Sequence, residues 1–163
     1  MDIVEQNQIV SPRLRSLISW YESQSATAGA WPAKGALDPT LIPPESRPFV
    51  AIVDVQMGPM RIIYHMLGGA LVEAIGMDLT GKFLDEVDIP QAKDLPEWFQ
   101  RGVAAPGALF ARSTQTVQHV NLVYEGSCFP FGESDDDPRS LLICEDFLSA
   151  EFWQGATEGR ATS

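Results

Sequence analysis

Basic residues are scarce in this chain: eleven Lys and Arg stand against twenty-two Asp and Glu, giving a formal net charge of −11 over 163 residues. A nucleic-acid binder needs a basic surface to neutralise phosphates and release counterions, so that class of partner is excluded. The same deficit disfavours docking on an anionic membrane surface. Long apolar runs are also missing. No stretch approaches the ~18 residues of a membrane-spanning helix, and the acidic, polar opening MDIVEQNQIVSPRLR lacks the basic-then-apolar order of a secretory signal. The expectation is a cytoplasmic protein. Cysteine is limited to Cys128 and Cys144, too few for a disulfide scaffold and without the paired spacing of a zinc site. No G-x-S-x-G element, metal motif or phosphate loop is present, so neither a catalytic group nor a cofactor is expected.

What is present is an ordinary globular balance, 45% hydrophobic and 20% charged, on a chain long enough for one domain. Four segments are expected: 1–27 with an amphipathic helix, a Pro/Gly-rich connection over 28–48, a core over 49–149 and a tail over 150–163. In SPRLRSLISWYES, Ser11 is placed to cap a helix and Pro12 to open it. Leu14, Leu17, Ile18 and Tyr21 then form one apolar stripe, which needs either its own domain or a second copy to cover it. We assign it to a homodimer. Residues 1–10 carry no clear period. In the connection, Trp31, Leu37 and Ile42 are the expected anchors.

The core opens with a hairpin, Phe49 to Val55 and Met60 to Leu67, turning at QMGP. In its second strand Ile62, Tyr64 and Met66 share one face, and Arg61, Ile63 and His65 the other. Gly68-Gly69 then leads into the short helix ALVEAIG. Without a third glycine in phase or a Lys, this is a corner where a side chain would clash, not a phosphate site. In MDLTGK, Asp78 and Thr80 are expected to cap a turn at Gly81. A longer helix spans Leu95 to about Ala104, with Asp94 able to cap it. Two strands follow between Ala108 and Phe131, turning within RSTQT, and SLLICEDFL is the last strand. Two strands, then helices, then three strands describe an α+β domain with one five-stranded antiparallel sheet, helices on one face and an added N-terminal helix. For the cysteines, an index sum of 272 puts the hairpin midpoint at position 136, inside GESDDDP. A symmetric loop would make Cys128 and Cys144 reduced, buried neighbours, with a redox pair as the alternative. His65 and His119 support no metal site.

MRIIYHMLGGALVEAIGMDLTGKFLDE resembles the strand, Gly-small, helix, G-x-D-L-T-G signature of a PAS-like family of short, stand-alone bacterial proteins. LDPTLIPPESRPFVAIVDV is similar to that family's lead-in, YEGSCFPFG to its Y-E-x-x-x-x-P strand and LISWYES to its leading aromatic helix. The resemblance covers about residues 14–148. It implies a sensory or regulatory domain in signalling that binds a small molecule or a protein partner and performs no catalysis. It also implies a pocket between the concave face of the sheet and the longer helix. Tyr64, Trp98, Arg101, Tyr124 and Cys128 are its candidate residues, although such aromatics more often fill an ordinary core with Arg101 solvated. Two alternatives stand beside the sensor. A dimerisation or adaptor module would have a filled core. A small pocket enzyme would need Asp54 or Asp146 buried with a raised pKa.

Overall fold

The computed structural model describes residues 2–24, 31–117, 120–132 and 139–149 of the chain. Among them β1 is Asp2–Val4, α1 Pro12–Gln24, β2 Val50–Gln56, β3 Arg61–Leu67, α2 Gly69–Ile75, α3 Leu95–Ala104, β4 Leu109–Val117, β5 Val120–Phe131 and β6 Arg139–Ser149. Short 3-10 turns join them. The strands form one six-stranded sheet in the order β1-β4-β5-β6-β2-β3, antiparallel at every neighbour. The expected five strands are therefore joined by a sixth, in which Asp2 to Val4 pair with Arg112 to Phe110. Three residues at a sheet edge, one of them the exposed Ile3, are too few to show an alternation.

The sheet is covered on both faces. Ala51, Val53, Ile62, Tyr64, Ile143 and their neighbours pack beneath α2 and α3, whereas Val50, Ile52, Phe129, Phe131 and Leu142 pack beneath α1. Successive residues point to opposite faces, so apolar runs such as VAIV and LLIC feed both cores at once. Ser11 caps α1 as expected, its Oγ accepting the Leu14 N–H at 3.1 Å. Leu14, Leu17, Ile18 and Tyr21 are buried against the sheet of their own chain, and the Tyr21 hydroxyl donates to the Pro130 carbonyl at 2.7 Å. The dimer assignment of this stripe is thereby corrected: its apolar surface is spent within the chain, and a dimer would have to use other residues.

Local signals that differ have local causes. A bulge at His65 shifts the β2–β3 register between Ile52 and Val53, so Met66 packs with the α1 face while Ile62 and Tyr64 stay on the other. β4 continues through RSTQT to Val117 and β5 opens at Val120, so the turn expected within RSTQT is corrected to strand, and His119 lies outside the described residues. Residues 133–138 of the acidic GESDDDP stretch, the boundary at 27/28 and the segment 150–163 lie outside them too. In the connection, Ile42 is fully buried, and Trp31 and Leu37 are partly so.

The two glycines of the corner differ. A Cβ on Gly68 would sit 2.5 Å from the carbonyl oxygens of both Arg47 and Pro48, while one on Gly69 would meet nothing within 4 Å. Gly68 also donates its N–H to the Val50 carbonyl at 2.8 Å. The clash thus belongs to Gly68 alone, and α2, with seven residues, is a covering element.

Candidate ligand cavity

β3, β5 and β6 present Tyr64, Tyr124, Glu145 and Phe147 to the same side, facing Trp98 and Phe99 of α3 and Leu71 and Ile75 of α2. Between them lies a cavity of about 220 Å³. Each wall residue is held by its element. The backbone of Tyr64 is fixed from both sides: its N–H donates to the Lys82 carbonyl at 3.0 Å, and its carbonyl accepts the Gly81 N–H at 2.7 Å. That turn is closed by Asp78, whose Oδ1 accepts the N–H (3.0 Å) and hydroxyl (2.7 Å) of Thr80; these bonds hold the Asp78 carboxyl below its usual range. Asp78, not Thr80, supplies the closing acceptor. Tyr124 stands opposite Phe147, with ring centroids 4.6 Å apart and an edge-on angle of 83°. Gly126 stands opposite Glu145, and the missing side chain leaves the floor open there.

Of the five sequence-derived pocket residues, Tyr64, Trp98 and Tyr124 line the cavity. Arg101 does not. On α3, Trp98, Phe99, Gly102 and Val103 face inward, which turns positions 97 and 101 outward, and Arg101 pairs with Glu97 at 3.2 Å. Asp94 precedes the helix, but its side chain makes no capping bond. Cys128 is fully buried in the layer below. α3 rests so closely on it that a Cβ on Gly102 would lie 2.9 Å from the Cys128 Cβ.

The residue the sequence reading missed is Glu145. It is half-buried and lines the cavity. Among the described residues its carboxylate has no hydrogen-bond or ion-pair partner. Burial pushes its carboxyl above the usual range. Burial first, and then the charge of Glu145, raise the hydroxyls of Tyr64 and Tyr124. A signal was available. Counting in twos along LLICEDF from Leu141 and Ile143 reaches Glu145 and Phe147; Asp146, one place along, faces the other core.

Asp54 and Asp146, the carboxylates a pocket enzyme would need, are both engaged elsewhere. Asp146 accepts the Ser11 hydroxyl at 2.6 Å and Arg13 Nη1 at 2.8 Å on the α1 face. Asp54 contacts His65 Nε2 at 2.6 Å and Lys34 Nζ at 3.2 Å and accepts the Ser140 hydroxyl. Burial raises the Asp54 carboxyl, but the bonds from Ser140, His65 and Lys34 outweigh it and the net shift is downward. A larger depression of about 500 Å³ beside Glu5, Arg15 and Glu22 is a shallow, open surface feature. Among the described residues no three His, Cys, Asp or Glu side chains gather as metal ligands, and no helix is long and apolar enough to cross a membrane.

The cysteines are reduced and buried, but they are not neighbours facing one another. Cys128 pairs with Ile143 and Cys144 with Ser127, so the index sum is 271 and the thiols point into opposite cores. A one-residue difference in register reverses every face. Burial pushes both thiols up, away from the reactive thiolate. We expect no reaction with an aromatic disulfide reagent until the protein unfolds, and no change in thiol count after mild oxidation. Rapid labelling of the native protein would contradict this placement.

No family model matches the chain, and no curated protein matches it. Among solved structures it is similar to the PAS domain from Bordetella pertussis BvgS, at 12% identity over 71% of this chain and 86% of that one, with a TM-score of 0.40. That level of likeness assigns no function.

Proposed function

We propose that the chain is a PAS-like sensory or regulatory domain that holds a small molecule between its sheet and α2–α3 and has no catalytic activity of its own. The observation that carries this reading is the cavity of about 220 Å³ with aromatic walls and a carboxylate, Glu145, that has no partner among the described residues. The chain order of two strands, a helical span and a three-strand meander matches the α+β outline expected from the sequence, over the residues that carry the PAS-like resemblance. A pure adaptor is less well supported, because it calls for a filled core and a continuous apolar patch. The exposed large apolar side chains among the described residues, Ile3, Leu41 and Met57, sit on three different segments. A pocket enzyme is the second reading; its carboxylate would be Glu145 in place of Asp54 or Asp146.

Native mass spectrometry of freshly purified protein tests the proposal. We expect a bound molecule of a few hundred daltons or less, released on denaturation. A ligand-free mass, together with no thermal stabilisation by any small molecule, would overturn it. The same spectrum reports whether the chain is a homodimer.

A further inference from the structure

We infer that the cavity recognises a small cationic ligand, an apolar body carrying a primary amine, with Glu145 as its counter-charge and Trp98, Tyr64 and Tyr124 around it. This rests on the reading of the cavity as a ligand site and adds the chemical class of the ligand.

The first argument is contrast. Glu125 accepts the N–H groups of Val10 and Ser11 and pairs with Arg112. Asp146 is bound by Ser11 and Arg13, and Asp54 by His65, Lys34 and Ser140. Glu145 alone among these inward carboxylates has no such partner within the described residues. Proteins rarely leave even a half-buried carboxylate without partners, because taking it partly out of water without replacing the hydrogen bonds is costly. A cation from outside would supply the missing partner.

The second argument is the sign of the lining. Asp94 and Glu145 contribute to the wall and no Lys, Arg or His does; Glu125 also borders the cavity, but its carboxylate is turned to Val10, Ser11 and Arg112 on the other face. A carboxylate or phosphate ligand would meet Glu145 with nothing to balance it. The third is the surroundings. Indole and phenol rings attract ammonium groups through their faces, and the hydroxyls of Tyr64 and Tyr124, which make no hydrogen bond among the described residues, can accept N–H donors. The volume of about 220 Å³ corresponds to roughly seven waters at ~30 Å³ each, room for a body about the size of one ring.

Benzylamine, benzyl alcohol and benzoate share one skeleton and differ in head group. Titrated calorimetrically into the intact protein freed of any bound molecule, benzylamine is expected to bind at least tenfold tighter than the other two. Glu145→Gln is expected to weaken it by at least tenfold while keeping the thermal midpoint at or above that of the parent, since an unpaired charge is removed. Tyr124→Phe, which deletes only a hydroxyl, is expected to weaken it three- to tenfold. Equal binding of the alcohol or benzoate, or amine binding unchanged in both variants, overturns the inference. Binding by none of the three also overturns it. The cavity reading then stands or falls separately, since a neutral or anionic molecule in the native mass spectrum would leave it intact.

Discussion

Replacing Glu125 with alanine is expected to cost the fold about 3–5 kcal/mol, the loss typical of removing one partner from a buried charge pair. Glu125 is fully buried. Its Oε1 accepts the N–H of Val10 at 2.9 Å and of Ser11 at 2.6 Å, and its Oε2 meets Arg112 Nη2 at 2.9 Å. Its cross-strand neighbour Asp146 takes the Ser11 hydroxyl and Arg13. Two adjacent carboxylates therefore fasten the start of α1 to the sheet. Alanine would leave two buried N–H groups without an acceptor and Arg112 without this carboxylate, each a loss that burial magnifies. Chemical denaturation measures the total. Hydrogen exchange locates it, with protection falling most in residues 9–24. A loss below about 1 kcal/mol, or one spread evenly over the sheet, would show that burial of the α1 stripe alone holds the helix.

Gly68→Ala is expected to destabilise by about 3 kcal/mol, the upper end of ordinary overpacking, which lowers the midpoint of a chain this long by roughly 6–12 °C. The atoms a Cβ would meet at 2.5 Å are backbone carbonyl oxygens, and these cannot rotate aside as a side chain can. Relief requires moving the Arg47–Pro48 turn or breaking the 2.8 Å bond from the Gly68 N–H to the Val50 carbonyl. Gly69→Ala has open space and lies inside α2, so it is expected to be neutral or to gain up to about 1 kcal/mol. The pair of thermal midpoints is the measurement. Similar values for the two variants would mean that the corner yields more easily than its geometry implies.

Much was legible from short-range signals. The Ser11–Pro12 start of α1, the β2–β3 hairpin, the corner at Gly68 and the last strand each depend on a few consecutive residues, and local stereochemistry decides them wherever the chain goes next. The stripe at Leu14, Leu17, Ile18 and Tyr21 was equally plain, and its need for an apolar partner followed from it. Which partner did not follow, because a stripe specifies only that something apolar must cover it. A run such as LLIC, buried on both faces, shows no alternation that would announce a second core.

The cavity was half legible for a related reason. Tyr64, Trp98 and Tyr124 could be picked out through the family resemblance and their aromatic character, whereas Arg101 depended on the rotation of α3 about its axis. That rotation is set by how closely Gly102 approaches Cys128. The sequence by itself determined the α+β class, the order of the main elements and the absence of a phosphate loop or zinc motif, all properties of neighbouring residues. Only the tertiary structure decided the β5–β6 register, and with it the separation of Cys128 from Cys144 and the choice of Glu145 over Asp146 as the carboxylate in the cavity. The physical reason is that strand register is set by packing between distant segments, and a shift of one residue exchanges the two faces of a sheet.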